Sequence, residues 1–554
     1  MKRNIKTDLL RVLVKIRKQG KKLRSRAGDL ATLRVWVFAL LIGGFVGYGV
    51  LGFRYSIDQV SLIAFGETEE TIATGAASLG VMRAWLAPII AGLIVSFILY
   101  FADKYKWLED GRAQGVADVI ESRAVKGGQI SLRAGITGAL VTVISLGGGA
   151  SAGREGPAVH LGATMASFLD RHFGFSVHDR KTLLGCGAAA AVAASFNAPI
   201  AGVLFALEVV LGNYALSVFG PIAFASVAAA LVGHAYLGDF PAFAAPEYGV
   251  AGTIDVALSL PLGVLCGITA IIFLLLTEFV TEKVREVANR KNISFVFLPP
   301  IGGVFVGFIG TIQPEIFGVG YEAITRALEG NYGLQAVVII LVLKFVATAI
   351  TVSCRFGGGV FSPGLFVGVF VGAAYGLILA EWFPDISAQP SYFAMVGMGA
   401  VAGAIIGAPI STTLIAFELT GDYRMAISLL VAVSIATLLT QWVCGRSFFH
   451  WQLSRRGYDL SEGPQGVILQ TIRVRDVMER MPPQAALAPE AARLDVNQSL
   501  GSALALYEGA SEVGLPVVDK SGAKPDEPIG YLTKVRALAS FNKALINSHI
   551  EHHR

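Results

Sequence analysis

Charged residues are scarce in this chain. Lys, Arg, Asp and Glu make up 15% of its 554 residues, whereas soluble domains average about 25%. Hydrophobic residues make up 54%, and 64 residues are glycine. This combination is typical of membrane proteins whose helices pack closely together. The scarcity of charge therefore disfavours a soluble globular protein and predicts an all-α polytopic membrane protein.

Cysteine and histidine are also few. The eight histidines form no His-Glu-x-x-His pattern, and His160 is the one near the central motif described below. A membrane enzyme would need converging metal ligands, or a nucleophile with its base, so we expect no enzyme activity and no cofactor. The cysteines have no spacing typical of metal or disulfide sites, which predicts small core side chains; they are Cys186, Cys266, Cys354 and Cys444.

Long apolar stretches recur along the chain. Other apolar stretches are short and interrupted by Gly or Pro, which is typical of re-entrant or tilted helices that line a cavity. Six stretches have about the length that a helix needs to cross a bilayer: Val35–Leu51, Trp85–Phe101, Ser217–Leu237, Val256–Leu276, Leu334–Val352 and Ala426–Val443.

Changes in composition divide the chain into three segments. Residues 1–33 are rich in Lys and Arg, with Asp8 and Asp29 as the only acids, so the positive-inside rule places them in the cytoplasm. Residues 34–458 form the membrane body, and residues 459–554, with more charges and prolines, indicate a small soluble domain. A basic arm beside a first span disfavours a nucleic-acid partner. We expect a multi-pass protein of the plasma (inner) membrane with both termini cytoplasmic.

The central motif is Gly153-Arg-Glu-Gly-Pro157, which places two charges in apolar, glycine-rich sequence. Pro157 suits the first turn of a helix, and a helix N-terminus in a low-dielectric setting attracts anions. Glu155 is an anion tethered at that position. We interpret it as a plug that competes with a diffusible anion for one site. A surface turn with two solvated charges is the alternative for the motif taken alone.

An internal repeat supports a transport architecture. Ala198-Pro-Ile200 and Ala408-Pro-Ile410 are followed at equal spacing by Glu208 and Glu418. Gly153-Arg-Glu-Gly-Pro157 likewise aligns with Gly359-Val-Phe-Ser-Pro363. Duplicated helix starts of this kind are typical of transporters whose binding site lies at the interface of two repeats, near the middle of the membrane.

These stretches together resemble the CLC family of chloride channels and proton/chloride exchangers. The resemblance covers residues 34–458 and implies a CLC fold of two inverted-topology helical repeats, roughly 34–237 and 255–458. It also implies a homodimer in the lipid bilayer, and a voltage-gated function is among those found in the family. The motifs that carry it are Gly153-Arg-Glu-Gly-Pro157, Phe196-Asn-Ala-Pro-Ile-Ala-Gly202, Gly358-Gly-Val-Phe-Ser-Pro-Gly-Leu-Phe-Val-Gly368 and Glu418-Leu-Thr-Gly-Asp-Tyr423.

The resemblance implies roles for individual residues. Glu155 matches the gating glutamate, and Arg154 is its neighbour at the external side. The expected anion-binding residues, which supply mainly backbone N–H groups, are Gly115, Val116, Arg154, Gly156, Val360 and Phe361.

Two residues depart from the family pattern of the anion site. Gln114 stands where a serine hydroxyl normally contacts the anion, and Phe449 stands where a tyrosine hydroxyl does. Gln114 can donate through its amide, whereas Phe449 offers only a ring edge. We count both as site residues and predict that chloride is bound with weaker discrimination against other anions. The alternative is that Gln114 faces another helix and the site consists of backbone amides.

The proton route of family exchangers departs as well. Glu208 matches the first of two glutamates in its segment, and Val209 stands where the proton-relay glutamate is expected. We therefore predict channel-like chloride conduction gated by Glu155, with a proton-coupled chloride antiporter as the alternative. The matched positions of Glu208 and Glu418 favour a structural role for both, and Lys344, inside an apolar run, is predicted to form a buried ion pair.

The C-terminal segment resembles one CBS motif. Thr471-Ile-Arg-Val-Arg-Asp-Val-Met478, Gly514-Leu-Pro-Val-Val-Asp519 and Pro528-Ile-Gly-Tyr-Leu-Thr533 predict an entry strand, a helix and a short strand pair in a small α/β domain. Such motifs pair, so two copies are expected to meet across a dimer. Nucleotide binding at this segment is the weaker alternative, because the segment has no phosphate-cradling glycine loop, and a structural or assembly role is preferred. A receptor or scaffold would not need the duplicated helix starts.

Overall fold

The computed structural model describes residues 5–553 apart from several internal stretches: 109–110, 239–252, 384–388, 421–422, 459–468, 471, 481–491, 508–513 and 521–526. Helices dominate the described residues. In chain order they are α1 Ile5–Phe65, α2 Ile72–Ser78, α3 Val81–Lys104, α4 Val116–Val125, α5 Leu132–Gly147, α6 Glu155–Arg171, α7 Val177–Phe196, α8 Pro199–Phe205, α9 Leu216–Leu237, α10 Thr253–Arg290, α11 Leu298–Ile312, α12 Tyr321–Leu328, α13 Leu334–Ser353, α14 Phe361–Trp382, α15 Pro390–Ile406, α16 Pro409–Thr420, α17 Tyr423–Cys444, α18 Phe448–Ser454, α19 Val474–Val477, α20 Leu500–Leu506 and α21 Lys534–His553.

Eight helices of the described chain are long and apolar enough to cross a membrane. The six predicted spans lie in α1, α3, α9, α10, α13 and α17, so the prediction of a polytopic helical protein is confirmed. The two further helices, α11 and α14, carry proline and glycine in their first turns, which made their sequences resemble interrupted segments. Proline is tolerated there because the first N–H groups of a helix have no intrahelical partner.

The two repeats pack their helices in the same way. A Cβ atom on Gly162 of α6 would lie 2.4 Å from the carbonyl oxygen of Gly187 on α7. In the second repeat, a Cβ on Gly368 of α14 would lie 2.2 Å from the carbonyl oxygen of Gly397 on α15. No side chain fits at such distances, so glycine is required for these backbones to approach. The register seen in the sequence therefore corresponds to a repeated packing contact.

The starts of the two repeats also meet directly. Gly153 and Gly359, which align in the sequence, form an isolated antiparallel bridge. The Gly153 N–H donates to the Gly359 carbonyl at 2.8 Å, and the Gly359 N–H donates to the Gly153 carbonyl at 2.7 Å. Because this reciprocal pair relates matched residues, it agrees with the inverted-topology arrangement. It also brings the first residues of α6 and α14 together in the centre of the protein.

The C-terminal residues contain a small three-stranded sheet. Strand β1 Leu494–Asp495 pairs parallel to β2 Gly514–Val518, which pairs antiparallel to β3 Pro528–Thr533. The expected strand pair is therefore present, and strand β1 and helix α20 precede it in the chain, whereas the quoted motif at residues 471–478 contributes a helical turn. Within that motif, Thr471 lies outside the described residues and Val474–Val477 form one helical turn. The CBS resemblance of this domain stays a prediction.

Candidate functional site

The Glu155 side chain lies where the two repeats meet. Glu155 is the first residue of α6 and is only 3% exposed. Ser362, the second residue of α14, donates its hydroxyl hydrogen bond to Glu155 Oε2. The Tyr321 hydroxyl donates to Glu155 Oε1 over 3.3 Å, and the Nε of Arg154 lies 3.9 Å from the same oxygen. A buried carboxylate with these donors occupies a position suited to an anion.

A small cavity adjoins the Glu155 carboxyl. Its volume is about 10 Å³, which is close to the space that one enclosed water molecule needs. Its other lining residues are Val159, Val192, Phe196, Phe205 and Ile415. The predicted site residues that line it are Val116, Glu155, Gly156, Phe361 and Phe449. The structure therefore gathers residues from four separate motifs around one enclosed space.

A larger vestibule lies on the Arg154 side of Glu155. It has a volume of about 520 Å³, and its charged lining residues are Arg54, Glu70, Arg154, Glu322 and Arg326. Phe196 lines both the vestibule and the small cavity. Each of these arginines is paired with a carboxylate: Arg54 with Glu70, Arg154 with Glu69 and Arg326 with Glu322. The Glu155 carboxyl thus lies between a polar vestibule with paired charges and a small apolar cavity.

The remaining predicted anion-binding residues lie near the small cavity but not in its wall. Gln114 is buried, and its backbone nitrogen adjoins Gly138 of α5. The Gly115 N–H donates to the Asp118 carboxylate at 2.7 Å, so this carboxylate caps the start of α4. Val360 is buried immediately before α14. Their anion-binding roles stay predictions.

Arg154 is engaged by a residue that the sequence analysis did not single out. Its Nη1 lies 2.6 Å from Oε2 of Glu69, and its guanidinium carbon lies 4.7 Å from the centre of the Tyr321 ring. Glu69 is fully buried in the connection between the first two spans. Burial raises the pKa of Glu69, the charge of Arg154 opposes that shift, and the charge of Glu155 adds to it. Two buried carboxyls therefore share one guanidinium.

Glu208 and Glu418 cap helices of opposite repeats. The Glu208 carboxylate accepts hydrogen bonds from the N–H groups of Ile410 and Ser411, at 3.1 and 2.7 Å. The Glu418 carboxylate accepts from the N–H groups of Ile200 and Ala201, at 2.9 and 2.7 Å. Each acid satisfies N–H groups that have no intrahelical partner. The structural role predicted for the pair is confirmed.

Val209 lies beside Glu208 and is half-buried in the π-helical turn Ala206–Leu211.

The ion pair predicted for Lys344 is wrong. The Lys344 Nζ donates to the carbonyl oxygens of Ile316 and Gly318, at 3.0 and 2.9 Å. The loop that Lys344 holds leads directly into α12 and Tyr321. Burying the ammonium group of Lys344 is costly, and its hydrogen bonds to these two carbonyl oxygens offset part of that cost.

The sequence analysis missed Glu69, Tyr321 and Ser362. Ser362 lies inside a quoted motif, and its position at a helix start next to the matched glycine was the available signal. Glu69 belongs to an acidic run, Glu67-Thr-Glu-Glu70, between two apolar spans. Ionisable residues are rare in such a setting and are often functional, so this run was a signal that the sequence offered. No comparable sequence pattern marks Tyr321, because its position depends on the packing of α12.

Comparison with known proteins agrees with this architecture. The chain is 31% identical over 401 residues to a putative chloride channel protein ClcB-like of Ralstonia nicotianae, covering 71% of this chain and 91% of that protein. It is 28% identical to the voltage-gated ClC-type chloride channel ClcB of Escherichia coli O17:K52:H18, covering 73% and 95%. The fold matches the crystal structure of a slow cyanobacterial Cl⁻/H⁺ antiporter with a TM-score of 0.67 at 21% identity, covering 76% and 98%.

The match to a family profile covers most of the membrane body. The profile described as voltage gated chloride channel matches residues 91–441. This range contains the motifs around Glu155 and Phe361 and both helix-capping glutamates, and it overlaps five of the six predicted spans. The chain therefore belongs to the voltage gated chloride channel family, the CLC family.

Proposed function

We propose that this protein conducts chloride and other small anions through a pathway gated by Glu155. The observation that carries the proposal is the position of the Glu155 carboxyl, buried between a polar vestibule and an apolar cavity and held by two hydroxyl donors. In its charged form the carboxylate occupies the position that an anion would take. Once protonated, it loses its attraction to this site and leaves it to the anion.

Channel-like conduction without fixed proton coupling is the finer part of the proposal. Valine at position 209 cannot carry a proton. The neighbouring Glu208 carboxylate is engaged by two backbone N–H groups and the Ser411 hydroxyl, which favours a cap over a mobile relay. The names of the two curated relatives describe channels, in keeping with this proposal. The solved antiporter resembles this chain at the level of fold alone, and proton-coupled exchange is the alternative that the experiment must decide.

The cavity wall supports weak discrimination among anions. Val116, Phe361 and Phe449 present apolar surface to the cavity, and Phe449 has no hydroxyl to donate. An anion there would be held by backbone dipoles and ring edges, which respond mainly to charge and size. We infer that chloride passes with modest preference over nitrate and larger anions.

We further infer a homodimer in the plasma (inner) membrane. The basic N-terminal segment favours cytoplasmic termini, which places the Arg154 side of Glu155 toward the exterior. One anion pathway per subunit follows from the presence of both repeats in a single chain. The C-terminal domain is proposed to regulate or assemble the protein.

The test uses purified full-length protein in lipid. Liposomes loaded with chloride, bromide, nitrate or fluoride should release anions, and absence of flux for all four would contradict anion transport. Channel and exchanger are then separated by the reversal potential in a planar bilayer with symmetric chloride and a pH gradient. A channel reverses near zero for every gradient. A reversal potential that follows the proton gradient, or uphill proton movement driven by chloride, would establish exchange instead.

A further inference from the structure

The Glu155 carboxylate serves as a stand-in for an anion in this structure. Its two oxygens accept hydrogen bonds from the hydroxyls of Ser362 and Tyr321. Both donors are buried, Ser362 at 1% and Tyr321 at 6% exposure. When Glu155 leaves the site, both O–H groups lose their hydrogen bond to its carboxylate, and a buried Ser362 hydroxyl without this acceptor is costly. A diffusible anion that enters the same position would restore both hydrogen bonds.

Backbone geometry fixes the Ser362 hydroxyl at this position. A Cβ atom on Gly153 would lie 2.9 Å from both Glu155 Oε2 and Ser362 Oγ. The absence of a side chain at Gly153 therefore leaves room for the contact between carboxylate and hydroxyl. The reciprocal hydrogen bonds between Gly153 and Gly359, at 2.7 and 2.8 Å, hold the starts of α6 and α14 in register. Ser362 is thus held by the same contact that joins the two repeats.

The charge of Arg154 is shared at this position. Arg154 Nε lies 3.9 Å from Glu155 Oε1, whereas its Nη1 pairs with Glu69 at 2.6 Å. The anion position therefore has two neutral hydroxyl donors at hydrogen-bond distance and a guanidinium charge that Glu69 partly offsets. Such a site binds a small anion without trapping it, because a full unpaired charge in a buried setting would hold the anion more tightly.

We propose that the hydroxyls of Ser362 and Tyr321 are specificity-determining donors for a small monovalent anion at the position vacated by Glu155. They would supply side-chain hydroxyls that Gln114 and Phe449 lack. This inference rests on the proposed anion transport and refines its selectivity. Directional O–H donors favour compact anions with concentrated charge, so the outer position selects chloride over nitrate even though the inner cavity does not.

The test removes the gate first, so that the donors are measured with a diffusible anion. Full-length Glu155→Ala protein is titrated with chloride by calorimetry, and its flux is compared for chloride and nitrate. Addition of Ser362→Ala should weaken chloride binding by about tenfold, which corresponds to about 1.4 kcal/mol, because it removes one hydrogen bond to the ion. The chloride-over-nitrate flux ratio should fall with it. Ser362→Thr keeps the hydroxyl and should retain both the affinity and the ratio.

A matched control and a second variant complete the design. Ser151 is a fully buried serine whose hydroxyl contacts Thr348 at 3.1 Å, so Ser151→Ala in the same background should leave chloride affinity unchanged. Tyr321→Phe removes only an O–H and keeps the ring beside Arg154; because its bond is longer, the expected loss is smaller. This variant decides the matter if Ser362→Ala does not fold.

Two results would overturn the inference about Ser362 and Tyr321, and a third would overturn the proposed function. Chloride affinity and flux ratio equal to those of the Glu155→Ala parent, in both the Ser362→Ala and Tyr321→Phe variants, would overturn the inference while anion transport stands. A loss in Ser362→Ala that Ser362→Thr shares would also overturn it, since packing and not the hydroxyl would then be responsible. A parent that neither binds nor conducts any anion would overturn the proposed function, and this inference with it.

Discussion

Neutralising Glu69 should change the pH at which the gate opens. Glu69 is fully buried, its Oε2 lies 2.6 Å from Arg154 Nη1, and Arg154 Nε lies 3.9 Å from Glu155 Oε1. The two carboxyls therefore compete for one guanidinium. In Glu69→Gln, one negative charge disappears and Arg154 is left to Glu155 alone. The charged, closed form of Glu155 becomes more stable, so a lower pH is needed to open the gate.

The magnitude follows from the shared contact. Two like charges on either side of one guanidinium repel each other by about 2 kcal/mol at an effective dielectric constant of about 20. A change of about 1.4 kcal/mol corresponds to one pH unit. The half-activation pH of anion flux in Glu69→Gln should therefore fall by about 1 to 1.5 units.

The assay is chloride efflux from liposomes over a series of external pH values. Glu70→Gln is the matched control, since it removes the same charge one residue away. The Glu70 side chain is 57% exposed and pairs with Arg54, so solvent screens its charge and the half-activation pH should match that of the unmodified protein. A Glu69→Gln profile that coincides with the unmodified one, or that moves to higher pH, would refute the reasoning.

Further predictions concern the gate, the selectivity, the C-terminal domain and the helix caps. Glu155→Gln should flatten the pH dependence of flux, and a full pH response in that variant would exclude gating by this residue. Combining Gln114→Ser with Phe449→Tyr should sharpen chloride preference, with Phe449→Tyr carrying the effect because only Phe449 lines the cavity; an unchanged anion series would mean that neither touches the ion. A chain ended after Asp459, which lies outside the described residues, should still conduct as a folded dimer, and complete loss of its flux would contradict a regulatory domain. Glu418→Gln should destabilise the protein by about 1–2 kcal/mol through its lost capping charge, measured as a lower unfolding temperature in detergent; an unchanged temperature would deny the cap its role.

The sequence was sufficient for the class of protein and for its internal symmetry. Apolar length and low charge predict spanning helices because a bilayer admits few alternatives for the backbone. Equal spacing of two Ala-Pro-Ile segments and of Glu208 and Glu418 indicated duplication. The side chains at the centre were predictable where a motif names them, as with Glu155 and Phe361. These features are local, so short stretches of chain are enough to reveal them.

Tertiary structure decided which distant residues act together. Glu69 is 85 residues from Arg154, Tyr321 is 166 residues from Glu155, and Ser362 is 207 residues from Glu155. No periodicity links such positions, because their contacts depend on how the repeats pack at Gly153 and Gly359. The partners of Lys344 could not be predicted from the sequence for the same reason. A buried ammonium group can donate to carbonyl oxygens or to a carboxylate, and the course of the loop before α12 determines that carbonyl oxygens lie within reach.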